Sequence, residues 1–157
     1  MARTKFDPQV AKTPTDKYLA EAMLLWSKDL TYDNAHLKKK AHLQTLRVLR
    51  YFARYYLGLN DNQFKVYSNK AGIAVSGEVS LHTDPLPGCQ FGIDIQVSSG
   101  FDVRDKYQVR YRTCKGITDY QGGNNNYNSA YRLFGCNGHM IDTREVVFKL
   151  CGQVKEV

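Results

Sequence analysis

Three arginines in the first third of the chain have the spacing of a single helix face. Arg47, Arg50 and Arg54 lie at i, i+3 and i+7, so their guanidinium groups project along about two helical turns and can meet successive phosphates. Tyr51 and Tyr55 flank these arginines, and tyrosine rings can stack on bases. The pattern predicts a nucleic-acid contact, with an ordinary solvated helix surface as the alternative.

The distribution of charge also favours an anionic partner. Of the net charge of +7, residues 1–57 hold eleven Lys/Arg and five Asp/Glu (+6), and residues 58–157 hold eleven and ten (+1). Residues 34–57 add Lys38, Lys39 and Lys40 to the arginines and contain no acidic residue. A field of one sign over one element favours DNA, RNA or another acidic partner. We expect no membrane binding, because the apolar side of this helix is needed to cover a sheet.

A second group of reactive residues lies on predicted strands. A regular hairpin around "DPLPG" places Glu78 opposite Asp94. Side-chain alternation puts Arg110 in the same row, with His82 and Arg112 on the same face. Paired carboxylates beside arginine could bind a metal or perform acid/base catalysis with His82 as proton carrier. We favour the alternative, a surface ion-pair row in which Arg110 neutralises both acids.

The stretch "YRTCKGITDYQGGNNNY" combines cations, rings and flexible polar residues. Arg110 precedes it, Arg112, Lys115, Tyr120 and Tyr127 lie within it, and Tyr131 and Arg132 follow it. This interleaving suits single-stranded or looped nucleic acid, whereas a polar surface loop with tyrosines folded onto the sheet is the alternative. Because residues 116–139 show neither a helical nor a strand period, we predict a long loop there.

The four cysteines are predicted to be free thiols. Cys89, Cys114, Cys136 and Cys151 are spread over a mid-sized chain, whereas disulfide scaffolds crowd cysteines into short domains. The pair Cys136 and His139 would need two further ligands, such as Cys114 and Cys151, to hold zinc, and a single C-x2-H is a weak signal. We therefore predict no metal and no cofactor.

The elements that carry these residues follow from periodicity. A first helix is predicted from Thr15 or Asp16 through residue 30, and a second from the Asp33-Asn34 signal to Gly58. On the second helix the apolar side is formed by Leu46, Leu49, Phe52, Ala53 and Tyr56.

Beyond residue 60 the pattern alternates, which predicts strands. Candidate strands start at residues 64, 73, 89 and 107, and the inward positions on the last three are Ile73, Val75, Val79, Leu81, Phe91, Ile93, Ile95, Val97, Tyr107, Val109 and Tyr111. A final element with an Asp142/Glu145 capping box is predicted as a short helix, with a closing strand as the alternative.

These patterns predict one α+β domain over residues 1–157, with residues 1–14 frayed at its start. Two N-terminal helices would pack on one face of an antiparallel meander of about four strands, and a short C-terminal helix would follow. Without a signal segment or an apolar span of about 20 residues, we expect a cytoplasmic protein.

The leading functional prediction is a small, non-catalytic nucleic-acid-associated protein. The residues predicted to contact nucleic acid are Lys38, Lys39, Lys40, Arg47, Arg50, Arg54, Arg110, Arg112, Lys115, Tyr120 and Tyr127. The alternatives are an enzyme using Glu78, Asp94 and Arg110 with His82, and a protein-binding adaptor without chemistry.

Overall fold

The computed structural model describes Ala22 and residues 36–69, 78–99, 107–122, 125–135 and 137–152. Within these ranges the chain has an α+β fold with an antiparallel sheet, as predicted. The helices are α1 (His36–Tyr51), α2 (Ala130–Phe134) and α3 (Asn137–Leu150), with a π-helical turn at Phe52–Tyr56 and a 3-10 turn at Asp61–Gln63. The strands are β1 (Phe64–Asn69), β2 (Glu78–Thr83), β3 (Gly92–Ser99), β4 (Tyr107–Gly116), β5 (Asp119–Gly122) and β6 (Asn126–Ser129).

The sheet is a meander in the order β1-β2-β3-β4-β5, with every pair antiparallel. The sixth strand, β6, also pairs with β4. Because β3 occupies one edge of β4, β5 and β6 lie one after the other along the opposite edge. The sheet therefore has five strand positions, and the last is filled by two short strands.

One face of the sheet carries the apolar core. The predicted alternation is confirmed at the described inward positions of β2, β3 and β4, although Phe91 and Tyr111 are only half-buried and Ile73 and Val75 lie outside the described residues. The fully enclosed members are Val79, Leu81, Ile93, Ile95, Val97 and Val109, each at most 2% exposed. Burying each such side chain contributes about 1.5–3 kcal/mol to folding.

Helix α1 covers this apolar face. Leu49, Phe52, Ala53 and Tyr56 are at most 1% exposed, and Leu46 is half-buried against the core, which confirms the predicted apolar side of the second helix. Phe52 stacks on Tyr56 at 5.6 Å between ring centroids and meets Phe134 of α2 edge-on at 5.2 Å. Aromatic pairs in these arrangements stabilise by about 0.5–1.5 kcal/mol beyond their buried area.

The helical segment ends near Gly58, as predicted. Its last turn widens, since the Leu57 amide donates to the Phe52 carbonyl at 3.0 Å, and Gly58 adopts φ 73°, a conformation that favours glycine. The Nε of Arg144, on α3, donates to the Tyr56 carbonyl at 2.8 Å. This cation satisfies a terminal carbonyl and complements the helix dipole.

The number of elements differs from the prediction. The described ranges contain one N-terminal helix instead of two, and six strands instead of about four. The first predicted helix lies outside the described residues apart from Ala22, which is helical and fully buried.

The prediction of a long loop at residues 116–139 is wrong. Those residues form β5, β6, α2 and the start of α3. Strands β5 and β6 pair with β4 through main-chain hydrogen bonds, which an edge strand can form without an alternating apolar pattern.

The C-terminal element is a helix, as predicted, but it begins at Asn137, so Asp142 and Glu145 lie within the helix and do not cap it. Within this helix the Thr143 hydroxyl donates to the Leu133 carbonyl at 2.8 Å and so links α3 to α2.

The turn between β2 and β3 is present but longer than predicted. Gly88 has φ 74°, and the Cys89 amide donates to the Leu86 carbonyl at 2.8 Å. The amides of Gln90 and Phe91 both donate to the Cys151 carbonyl at 3.1 Å and so do not pair with β2. The loop therefore extends to residue 91, and the register of the hairpin differs from the predicted one.

Candidate functional site: the cationic stripe and the polar sheet face

The exposed side of α1, continued by the π-helical turn that follows it, carries a line of cations. We define the α1 stripe as Lys40, Leu43, Arg47, Arg50 and Arg54, which follow one another at spacings of three, four, three and four residues. Lys40 and Arg54 are exposed, Leu43 is 46% exposed, and Arg47 and Arg50 are half-buried. The structure thus brings together on one surface the described cations that the periodicity predicted.

The cations of the α1 stripe differ in whether they already bond to other residues of the protein. Arg50 and Lys40 form no hydrogen bond or ion pair with the described residues, whereas Arg47 has a partner within the protein. A half-buried arginine can rest its aliphatic stem on apolar surface and keep its guanidinium in water. Lys38 and Lys39 lie in the first turn of α1, and their side chains fall outside the described part of the chain.

Arg54 is already engaged by a carboxylate. Its Nε donates to Asp61 Oδ1 at 2.7 Å and its Nη2 donates to Asp61 Oδ2 at 2.9 Å. This hydrogen-bonded pairing raises the pKa of Arg54 and lowers the pKa of Asp61. A phosphate can reach this guanidinium edge only by displacing Asp61, so Arg54 is not the open ligand that its position on the helix predicts.

Two tyrosines border the α1 stripe, as the sequence indicates. The rings of Tyr51 and Tyr55 lie 4.5 Å apart between centroids, at an interplanar angle of 33°. Tyr55 is 39% exposed, and Tyr51 is half-buried. Tyr55 is therefore the ring that solvent reaches, with Tyr51 supporting it.

The second face of the sheet, opposite α1, is polar. We call it the polar sheet face and describe it by the rows of residues that pair across strands. The first row is Lys65, His82, Asp94 and Arg112; the second is Tyr67, Ser80, Gln96, Arg110 and Tyr127; the third is Asn69, Glu78, Ser98, Gln108 and Ser129.

The predicted pairing of Glu78 with Asp94 is wrong. Asp94 faces His82, and Glu78 faces Ser98. The register slips by four residues because the β2–β3 loop extends to residue 91. A slip by an even number of residues keeps every side chain on its predicted face of the sheet. The predicted faces are therefore correct, but the predicted cross-strand partners are not. The two carboxylates are about 13 Å apart along the strands, too far to share a metal or a proton.

The predicted ion-pair row is present in an altered form. Arg112, rather than Arg110, pairs with Asp94, through an Nε to Oδ2 contact of 3.2 Å. The Asp94 side chain is 1% exposed and that of Arg112 is 26% exposed. Ser80 and His82 are fully buried, so the centre of this face is interior and not the surface row that we favoured.

Among the described residues, Asp94 Oδ1 and Ser80 Oγ find no hydrogen-bond partner in this interior. A buried polar atom without a partner is destabilising, and within the described ranges Asp94 is held by the contact from Arg112. That contact fixes the Nε edge of Arg112 and leaves its terminal Nη groups without partners among the described residues.

The outer edge of β4 carries the remaining predicted residues: Arg110 and Tyr127 lie where β6 pairs with β4, and Lys115 and Tyr120 lie where β5 pairs with it. Arg110 lies directly opposite Tyr127; Arg110 is half-buried, and Tyr127 is 61% exposed. Lys115, near the end of β4, is exposed. Tyr120 lies in β5, and its side chain falls outside the described residues. Sequence reasoning included Tyr127 in a loop, but the structure holds it on a strand.

One neighbour of the α1 stripe was missed from the sequence. Asp61 engages Arg54 across the end of the helix, and the only signal was an acidic residue shortly after the terminal Gly58. Arg132, which the sequence places among the interleaved cations and rings, is exposed beside β6, and its amide donates to Ser129 Oγ at 3.2 Å.

The described cysteines are free thiols bonded to main-chain carbonyls. Cys114 donates to the Thr83 carbonyl at 3.5 Å, and Cys151 donates to the Gly92 carbonyl at 3.3 Å. Burial raises the pKa of Cys114 to about 11 and that of Cys151 to about 12, so thiolate is scarce at neutral pH.

Cys136 lies outside the described residues. Among the residues that are described, no group of three or more His, Cys, Asp or Glu is placed to hold a metal ion.

No family profile, curated protein or solved structure matches this chain. No helix within the described ranges has the length and apolar character needed to cross a bilayer.

Proposed function

We propose that this protein binds nucleic acid without catalysing a reaction on it, and that the α1 stripe contacts the phosphates. The observation that carries the proposal is the arrangement of Lys40, Arg47 and Arg50 on one accessible helix side, within a segment (residues 34–57) that contains no acidic residue. Arg50 and Lys40 form no hydrogen bond or ion pair with the described residues, although the charge of Arg50 also acts on Asp61 and helps to lower the pKa of that carboxyl.

The physical reason is electrostatic. Regularly spaced cations on a rigid helix can neutralise consecutive phosphates and release their condensed counterions, which drives association. Helix α1 is held in place because its opposite side is buried in the core through Ala41, Val48 and Leu49. The cations are therefore presented in a fixed line, and little conformational entropy of the backbone is lost when a ligand binds.

The polar sheet face supports the non-catalytic form of the proposal. An acid/base or metal mechanism on Glu78 and Asp94 needs the two carboxylates close together. They pair with different residues, Ser98 and His82. The contact between Asp94 and Arg112 is that of an interior ion pair.

The test is the double substitution Arg47→Gln with Arg50→Gln. We expect weaker binding to a mixed-sequence oligonucleotide and a salt slope that is flatter by about 1.4 for single strands or about 1.8 for duplex DNA, because two phosphate contacts are lost. Affinity is measured by fluorescence anisotropy over a series of salt concentrations.

The matched control removes the same charge elsewhere. Lys65 on β1 and Lys149 on α3 are both exposed, so Lys65→Gln with Lys149→Gln lowers the net charge equally without touching the α1 stripe. If both double variants lost the same affinity, net charge alone would account for the effect, and the proposal would be contradicted. A natural protein that binds no nucleic acid at low salt would contradict it outright and favour a protein-binding adaptor.

A further inference from the structure

The edge formed by β4 and β6 places an exposed ring beside a cation. Arg110 and Tyr127 are directly paired across the two strands, and residues so placed have Cβ atoms about 4.5–5.5 Å apart on the same face. Both side chains therefore stand on the polar sheet face, at its outer edge. A ring and a guanidinium group at this distance can contact one ligand together.

The ring of Tyr127 is available to a ligand. At 61% exposed it is the most exposed of the large hydrophobic side chains in the described residues. It packs on no other ring there. The exposed Asn125 precedes β6 and offers an amide that can both donate and accept hydrogen bonds.

The cations at this edge are also available. Arg110 forms no hydrogen bond or ion pair with the described residues. Arg112 stands on the same face about 6.6 Å further along β4. Its Nε donates to the buried Asp94 carboxylate, and this bond fixes the orientation of the Arg112 side chain. Arg132 is exposed next to β6. The edge thus combines guanidinium groups, a ring and an amide.

We infer that the nucleic acid bound by this protein is single-stranded, with an unpaired base stacked on Tyr127 and the adjoining phosphate bound by Arg110 and Arg112. This inference rests on the proposed function and specifies its ligand. A ring that stands on a sheet edge can stack only on a base whose face is open, and duplex bases are already stacked on their neighbours. Stacking on tyrosine does not depend on which base is present, so we expect little sequence preference.

The test compares Tyr127→Leu with Tyr127→Phe. The phenylalanine keeps the ring and removes the hydroxyl, whereas the leucine keeps an apolar side chain and removes the ring. For a single-stranded 12-mer of mixed sequence we expect Tyr127→Leu to bind about tenfold more weakly and Tyr127→Phe to bind like the natural protein. Affinity for the duplex of the same sequence should be equal in all three proteins.

A second measurement locates the contact directly. Ultraviolet cross-linking of the 12-mer, followed by digestion and mass spectrometry, should recover the peptide that contains Tyr127. Thermal melting of each variant checks the fold, which we expect to be unchanged because the ring is exposed.

The outcomes separate this inference from the proposed function. Single-strand binding that depends on Arg47 and Arg50 but is the same in Tyr127→Leu and the natural protein would overturn the inference alone. Duplex binding as tight as single-strand binding, with no cross-link at Tyr127, would do the same. A protein that binds neither form at low salt would overturn both.

Discussion

The ion pair between Arg54 and Asp61 shows how one side chain can change the role of a predicted ligand. A guanidinium edge accommodates one carboxylate or one phosphate at a time. Asp61 occupies both donors of that edge of Arg54, at 2.7 and 2.9 Å. Both side chains are well exposed, at 41% and 69%, so solvent and salt weaken the pair. In the proposed function, Asp61 would therefore compete with phosphate for the last cation of the α1 stripe.

Removing this competitor should strengthen nucleic-acid binding. In Asp61→Asn the carboxylate becomes a neutral amide of the same shape, and Arg54 becomes free to bind a phosphate. We expect a several-fold gain in affinity and a salt slope steeper by about 0.7–0.9, measured by anisotropy. Asp142→Asn, which makes the same charge change at an exposed position on α3, is the control. An equal gain in both variants would show that only net charge matters.

At the scale of elements, the faces of the strands follow from the sequence but the pairing of β2 with β3 does not. Alternation assigns Leu81 and Ile95 to the core and Asp94 to the opposite face, and all three lie as predicted. The register depends on the Cys151 carbonyl, which takes the amides of Gln90 and Phe91. A contact from the far end of the chain cannot be read from the hairpin itself.

Strand β6 and the start of helix α3 could not be predicted from the sequence because polar residues and a glycine mask their periodicity. Strand β6 reads Asn126 to Ser129 without an apolar alternation, because it needs only main-chain pairing with β4. Helix α3 includes Gly138 near its start, a residue that lowers helix propensity by about 1 kcal/mol relative to alanine. Tertiary contacts such as the bond from Thr143 to Leu133 offset that cost.

The register of β3 with β4 predicts that replacing Arg112 and replacing Arg110 have different effects on stability. Arg112→Leu removes the partner of a carboxylate that is 1% exposed, so we expect a loss of about 3 kcal/mol in the free energy of unfolding, at the lower end for broken buried pairs because Arg112 itself is 26% exposed. Arg110→Leu should cost less than about 1 kcal/mol. Urea denaturation measures both values.

The double variant Arg112→Leu with Asp94→Asn tests the cause of the loss. Because the uncompensated charge is then gone, much of the lost stability should return. A larger loss in Arg110→Leu than in Arg112→Leu would contradict the observed register.

For the whole molecule, the proposed function depends on where the charge lies. Of the net charge of +7, residues 1–57 supply +6, and the α1 stripe holds four cations of that segment on one helix side. Helix α1 covers one face of the sheet, and Tyr127 stands at the edge of the other. In the proposed function the helix would supply affinity through phosphates, and the sheet edge would supply the preference for unpaired bases.

The measurement that tests this account most directly is the salt dependence of single-strand binding by the natural protein. With Lys40, Arg47 and Arg50 each neutralising one phosphate, the logarithm of the binding constant should fall with the logarithm of salt concentration at a slope of at least about −2. Contacts from Arg110 and Arg112 would make it steeper. Undetectable binding at low salt, or a slope near zero, would contradict the claim that this protein binds nucleic acid through its cationic helix.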